Sequence, residues 1–328
     1  MRFHLQICII KPQRRIDAYL SKLYPERSRS FFQHIIESSS LLINNIVIKK
    51  VSTELRKGDE ISISHNIEDT PWHIEGRTDI ALDILYQDKD TLVINKPLGL
   101  TVHPGDDMHS RTLSVAHALL GLPDTEFSIK DTARPGIVHR LDKWTSGVLL
   151  TAKNDQAVNY YSAQFKERTV QKEYIALVYG AMTQSHGFID APIGRSPRDR
   201  KKMAVVANGK PASTEFHVLA STKDFTLLRI ILHTGRTHQI RVHFANIGFP
   251  LVGDDTYAQR KSPYSKLLQG QFLHAWKLQF KTQSTGSTEQ IIAPLPAVFQ
   301  EILQDLGFEK ALVINSGDKM FQILVKYV

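Results

Sequence analysis

From residue 82 onward the apolar residues come in short runs broken by turn formers, and that pattern limits what the chain can fold into. LDILYQDKDTLVINKP reads as a hairpin turning around Gln87 to Asp90, and STEFHVLAST and FTLLRIILHTG, joined by Lys223 and Asp224, read as a second. VQKEYIALVYG is a strand, and GIVHRLDKWTSGVLLTAKN is expected to supply two strands bracketing a polar turn. Helical spacing is confined to SVAHALLGL, ending at Gly121, to DQAVNYYSAQFKER, and to RTHQIRVHFANIG, where Ile240, Phe244 and Ile247 align. Strands joined by tight turns and covered by a few helices make an α+β protein with a mixed sheet. The chain has 328 residues. Single cores rarely grow beyond about 250 to 300 residues, so a second, smaller domain is expected.

The first 66 residues have the pattern of that smaller domain. Leu5 to Ile10 is strand-like, Ile16, Leu20 and Leu23 recur at helical spacing before Pro25, and SRSFFQHIIESS is a second short helix. In LLINNIVIKK two apolar runs meet at Asn44 and Asn45, residues that tolerate the left-handed backbone of a tight hairpin. ELRKGDEISI then closes the unit as a strand. Residues 67–80 lack periodicity and carry turn formers and charges, which reads as a linker. The tail, residues 309–328, has the pattern of an extra hairpin, with no role that the sequence reveals.

Lys and Arg outnumber Asp and Glu by 41 to 33, giving a formal charge of +8, which favours a polyanionic partner, nucleic acid first. The single cysteine, Cys8, excludes an intramolecular disulfide and a zinc site of paired thiolates, and it fits a reducing cytoplasm. The apolar run Leu227 to Leu232 is interrupted by Arg229 and falls far below the roughly 18 residues a membrane helix needs. The brief N-terminal run is too short for a secretory signal. None of the histidines forms HExxH, and His238 and His243 do not share a helix face. There is no P-loop and no GxGxxG after a strand, so neither a metal nor an organic cofactor is expected.

The densest polar cluster is HRLDKWTSG, residues 139–147. By itself it fits a catalytic loop, or a turn held by aspartate side-chain bonds, equally well. This segment resembles the HRLDxxTSG signature of the RluA family of pseudouridine synthases, and further segments follow in family order: NKPLGLTVHPG (95–105), KEYIALVYG (172–180), RDRKKMAV (198–205), GKPASTEF (209–216) and TGRTHQIRVH (234–243). The two short helices and following strands, with Arg14, Arg15, Arg27, Arg29, Lys49 and Lys50 spread through them, resemble the S4 RNA-binding domain. The resemblances cover nearly everything from about residue 12 to residue 295. They imply a mixed, mainly antiparallel pseudouridine-synthase sheet with flanking helices over residues 81–308, and a small α+β S4-like domain over residues 1–66.

The resemblance also implies an activity: isomerisation of selected uridines in structured RNA to pseudouridine. Asp142 matches the family nucleophile, and a carboxylate with a reference pKa of about 3.9 is ionised at neutral pH without a separate base. The family routes include attack at the ribose C1′, addition to the uracil ring and assisted elimination, and the sequence does not choose among them. Tyr174 matches the tyrosine that stacks on the target base, a contact worth about 1 to 3 kcal/mol. Arg236 matches the arginine expected to pair with the catalytic carboxylate. Arg140 precedes Asp142 by two residues, so an extended backbone puts both on one side. In the family the equivalent arginine takes the space vacated by the extruded uridine. Ile240 is a candidate for packing against the base, and Arg14, Arg27 and Arg29 are candidates for RNA contacts. Trp144 stands where the family commonly carries a small or charged residue.

The branch that combines an S4-like domain with this catalytic domain implies large-subunit rRNA as substrate, and a cytoplasmic monomer is expected. Transfer RNA is the alternative substrate. A silent RNA-binding or ribosome-assembly factor would be expected to have replaced Asp142, Tyr174 or Arg236, and all are present. A glycoside hydrolase would need a second carboxylate that the matched segments do not offer.

Overall fold

The computed structural model describes residues 2–24, 29–66, 74, 76–104, 113–122 and 134–308. They form two compact units, one built mainly of residues 1–75 and the other mainly of residues 76–308. Arg27 and the tail, residues 309–328, lie outside the described residues.

The first unit runs β1 (Arg2–Cys8), α1 (Ile16–Leu23), α2 (Arg29–Glu37), β2 (Leu41–Ile43), β3 (Ile46–Val47) and β4 (Glu60–Asn66). Its sheet has the order β1-β4-β2-β3, with every pairing antiparallel. Ile16, Leu20, Phe32, Ile35, Ile36, Leu41 and Ile61 are completely buried and make its core. Asn44 and Asn45 take the turn of the β2–β3 hairpin at φ 50° and 65°, the left-handed pair expected of them. The closing strand starts later than ELRKGDEISI suggests. The side chain of Asp59 accepts the amide of Arg56 and holds a turn, so β4 begins at Glu60.

Asp17 sits at the centre of the helix pair. It is fully buried yet charged, accepting Arg15 Nε and Nη2 at 3.0 Å each, Arg29 Nε at 2.9 Å and Gln33 Nε2 at 2.7 Å. Burial alone would raise its pKa, but the bonds from Arg15, Arg29 and Gln33 outweigh it and hold the carboxyl well below its usual range. Arg14 lies just outside this cluster and is exposed.

The second unit continues with β5 (Asp83–Gln87), β6 (Thr91–Lys96), α3 (Val115–Leu120), β7 (Ser146–Ala152), α4 (Asp155–Glu167), β8 (Gln171–Tyr179) and β9 (His186–Asp190). A two-stranded ribbon, β10 (Ile193–Arg195) and β11 (Met203–Val205), follows. Then come β12 (Ser213–Ser221), β13 (Phe225–Leu232), α5 (Gln239–Asn246), β14 (Leu273–Lys281), β15 (Thr288–Ile292) and α6 (Ala297–Asp305). The nine-stranded sheet has the order β5-β6-β7-β14-β8-β13-β12-β9, with β15 on β14. It is the mixed, mainly antiparallel sheet expected, because β7–β14 is the one parallel pair along it.

β8 lies near the middle, and its residues are buried from Lys172 to Tyr179. Tyr174, Ala176 and Val178 enter one core, and Ile175, Leu177 and Tyr179 enter the core on the opposite face. Both faces are therefore apolar, and the segment reads as a continuous run rather than an alternation.

Two expectations need correction. GIVHRLDKWTSGVLLTAKN gives one strand, β7, not two: the backbone of residues 136–145 meets it through an isolated bridge from Ile137 to Thr151 and the bond from the Ala152 amide to the Gly136 carbonyl, without forming a strand. The physical reason is His139, whose Nε2 accepts the amide of Leu150 at 2.9 Å, a bond that a neighbouring strand carbonyl would otherwise take. In addition, residues 76–80, the end of the expected linker, belong to the second unit, where the Arg77 amide bonds the His117 carbonyl in α3. Residues 67–73 and 75 lie outside the described residues. Among the described residues no helix is long and apolar enough to cross a membrane.

Candidate active site

The polar loop before β7 ends in a turn in which the Thr145 amide bonds the Asp142 carbonyl at 3.0 Å. Leu141 is buried, while Arg140 and Asp142 on either side of it face outward into the same cavity. The rest of the motif anchors this loop. Ser146 Oγ donates to His274 Nδ1 at 2.9 Å, and His274 Nε2 donates to the Ala293 carbonyl at 3.1 Å. Gln271 Nε2 donates to Thr145 Oγ1 at 3.0 Å. Gly147, at φ 108°, meets β14 so closely that a Cβ would stand 2.2 Å from the Ala275 carbonyl oxygen, which excludes any other residue. Trp144 packs against Gly99 and Gly270, where added Cβ atoms would come within 2.9 and 2.3 Å of its ring system. It is half-buried there.

A second anchor comes from β6. Lys96 is completely buried, and its Nζ donates to the carbonyls of Pro97 (2.8 Å), Leu100 (2.8 Å) and Lys143 (3.2 Å). It ties NKPLGLT to the residue after Asp142. Burial lowers its pKa to about 7, against the pull of the Asp142 charge.

Asp142 Oδ2 lies 3.1 Å from Arg241 Nη1, with the Asp142 side chain 19% exposed and that of Arg241 8%. Arg241 is held from behind by Asp254, fully buried, through Nε–Oδ2 (2.7 Å) and Nη2–Oδ1 (2.9 Å). Asp254 Oδ1 also accepts the amides of Thr256 and Tyr257 at 3.0 and 3.2 Å. One guanidinium thus spans two carboxylates. Burial opposes its charge, but Asp254 and then Asp142 outweigh burial and raise its pKa further. His238 sits at the start of α5 in the left-handed region, φ 56°, with Nε2 3.9 Å from Asp142 Oδ1 and Nδ1 2.8 Å from the Tyr257 hydroxyl. Burial lowers its pKa, although Asp142 pulls the other way.

The cavity in front of Asp142 encloses about 120 Å³ and is lined by Tyr174, Ile240, Leu232 and Leu273 on its apolar side and by Arg140, Arg236, His238 and Arg241 on its polar side. Tyr174 is 8% exposed, and burial, with the nearby Asp142 charge, raises its pKa, so its hydroxyl keeps its proton. The site is a carboxylate, a doubly held guanidinium and a protonated phenol around an apolar floor.

Comparison with known proteins agrees with this arrangement. The family model described as RNA pseudouridylate synthase matches residues 90–246, and an S4 domain model matches residues 14–61. An uncharacterized RNA pseudouridine synthase of Bacillus subtilis, YlyB, is 40% identical over 293 residues, spanning 89% of this chain and 94% of that protein. The chain belongs to the RNA pseudouridylate synthase family. It is an isomerase that acts on RNA. The ribosomal large subunit pseudouridine synthase D of Haemophilus ducreyi is 37% identical over 302 residues, covering 89% of this chain and 90% of its own. Among solved structures, human RNA pseudouridylate synthase domain containing 4 superposes with a TM-score of 0.54 at 29% identity, covering 69% of this chain and 93% of its own.

Within this pseudouridylate synthase, the structure brings Asp142, Tyr174, Arg236, Arg140 and Ile240 to one cavity. It does not pair Asp142 with Arg236. The Arg236 guanidinium donates from Nε to the Pro211 carbonyl at 3.1 Å, and Arg241 makes the ion pair with Asp142. The reason is where α5 begins. Arg236 precedes it and its amide is fixed by Gln239 Oε1 at 2.9 Å, whereas Arg241 lies in the first turn and is buried toward the loop. Sequence alone does not mark Arg241, Asp254, His238 or Lys96 as site residues. The available signal was a second arginine inside TGRTHQIRVH on a helix with buried neighbours, where a guanidinium requires carboxylate partners. Arg14 and Arg29 lie in the first unit and not in this cavity.

Proposed function

We propose that this enzyme converts specific uridines of large-subunit rRNA to pseudouridine, with Asp142 as nucleophile. The observation that carries the proposal is the Asp142 carboxylate facing a small cavity, ion-paired to a guanidinium that Asp254 holds in place, and sharing that cavity with the Tyr174 ring. Relatives named for the ribosomal large subunit, 37 and 38% identical over nine-tenths of their length, support rRNA as the substrate class.

The net reaction breaks the C1′–N1 bond and makes a C1′–C5 bond; the C5 proton leaves and N1 gains one, so neither electrons nor a co-substrate are required. Asp142 acts by attack at C1′, by addition to the ring or by drawing a ribose proton in an elimination. Each route needs a carboxylate held at the reacting atoms, and the ion pair with Arg241 supports Asp142 in that place. Tyr174 stacks on the everted base, with its protonated hydroxyl a hydrogen-bond donor in the resting enzyme. Ile240 bounds the base, and Arg140 fills the gap left in the RNA. The S4-like unit, residues 1–66, holds folded RNA through Arg14 and Arg29, with Arg27 a further candidate.

Asp142→Asn tests the assignment. Pseudouridine formation in large-subunit rRNA from cells lacking the gene is expected to be lost, while RNA affinity stays within about threefold because the phosphate contacts remain. Pseudouridine formed by that variant would reject Asp142 as nucleophile, and an rRNA map unchanged by loss of the gene would reject the substrate.

A further inference from the structure

Next to the uridine cavity lies a larger one, of about 460 Å³, that shares Arg140, Tyr174 and Arg236 with it. Its other charged walls are Lys166, Arg168 and Lys172, and no carboxylate lines it among the described residues. Lys172 is the unusual member. It is 8% exposed, yet among the described residues its ammonium has neither a hydrogen bond nor an ion pair.

The other deeply buried lysines of this unit are satisfied. Lys96 reaches three carbonyls, and Lys277 Nζ lies 2.7 Å from Glu173, which also takes Arg229. Glu173 is adjacent to Lys172 in sequence but on the other face of β8, so it cannot serve it. Most of its side chain is covered while the ammonium stays open to the cavity, and burial and the neighbouring Arg168 both push its pKa down. A fold that keeps a cation there, facing a cavity walled by further cations, is set up for an anion from outside the chain.

Strand geometry fixes which part of an RNA that anion belongs to. Lys172 and Tyr174 are alternate residues of β8 and point to the same side, about 6 to 7 Å apart along the strand. That is about one nucleotide step from the ring that stacks on the target base. We propose that this cavity binds a backbone phosphodiester next to the target uridine, with Lys172 as its central cation and Arg140 and Arg168 beside it. The inference rests on the assignment of the neighbouring cavity to the uridine.

The test compares wild type, Lys172→Gln, Lys172→Arg and Arg168→Gln. The kinetic probe is large-subunit rRNA from cells lacking the gene, and the binding probe is a short synthetic RNA spanning the modified uridine. Lys172→Gln should raise KM about tenfold with kcat within about twofold. It should also lower the slope of log affinity against log salt by about 0.7 to 0.9, one phosphate contact. Lys172→Arg should restore most of both, and Arg168→Gln should give a smaller change of the same sign. A neutral methylphosphonate at one linkage beside the uridine should weaken wild type and leave Lys172→Gln unaffected. A merely structural lysine would lower the melting temperature without changing the salt slope, and that result, or equal sensitivity of both proteins to every neutral linkage, overturns the proposal. If wild type forms no pseudouridine, the functional assignment fails, while salt slopes and neutral linkages still decide the phosphate site by binding alone.

Discussion

Arg241→Gln is the most informative single substitution at the carboxylate. The wild-type guanidinium makes two bonds to fully buried Asp254 and one to Asp142. Glutamine cannot supply the charge, so the buried Asp254 carboxylate loses its ion-pair partner and keeps only the Thr256 and Tyr257 amides. Breaking a buried pair in this way costs about 3 to 5 kcal/mol. For a unit of this size each kcal/mol moves the midpoint by about 2 to 4 °C, so melting should fall by roughly 6 to 20 °C. Asp142, the proposed nucleophile, also loses the group that aims it, and a misplacement of about 1 Å at a reacting centre can cost about a hundredfold. Thermal unfolding and single-turnover pseudouridine formation, below the melting temperature of the variant, read the two effects separately. Asp254→Asn in the same background should recover part of the stability, because the stranded charge is gone. Arg236→Gln, which loses only an exposed bond to a carbonyl, should melt within about 1 °C of wild type. If Arg241→Gln matched Arg236→Gln in both melting and rate, the clamp would have no part in holding Asp142.

Two further outcomes are expected. Asp17→Asn removes a buried negative charge from beneath basic residues, and so by charge alone should tighten RNA binding. We expect the reverse, an affinity loss of about five- to tenfold in RNA titrations with an unchanged salt slope, because Arg15, Arg29 and Gln33 lose their common anchor; tighter binding would remove that role. His274 has a pKa lowered by burial to about 4, opposed by its bond to Ala293. The unfolded chain therefore binds a proton that the native protein refuses between pH 6.5 and about 4. Stability contributed by this group is present above pH 6.5 and is lost as pH falls through that window, by up to about 1.4 kcal/mol per pH unit. His274→Gln should flatten that part of a pH-dependent denaturation series, and an unaltered curve would place the acid sensitivity elsewhere.

The hairpins were legible because their signals are local: Asn44 and Asn45 fit a left-handed turn, and Lys223 and Asp224 separate two runs that pair as β12 and β13. β8 was legible because burial on both faces writes itself as an apolar run. The loop of Asp142 was placed correctly by its motif, but the expected strand before it failed because one histidine ring supplies what a strand would have supplied, and no periodicity encodes that. The arginine partner was misassigned for a related reason. Arg236 and Arg241 share one ten-residue segment, and only the start of α5 and a carboxylate at Asp254 decide which guanidinium turns toward Asp142. That carboxylate belongs to LVGDDTY, outside every matched motif. Lys96 and Lys172 look alike in sequence; three carbonyls near one and none near the other separate them.

The parallel pairing of β7 with β14 joins Ser146 to His274 across 128 residues. During synthesis the chain emerges in order, so β7 has β6 beside it but lacks its second neighbouring strand until most of the protein has been translated. A nascent polypeptide ending before residue 273 would carry every residue from Asp142 to Arg241 and still lack the strand that clamps their loop. That closure comes late in synthesis, and pairing across so long a stretch of chain is expected among the slower events in folding.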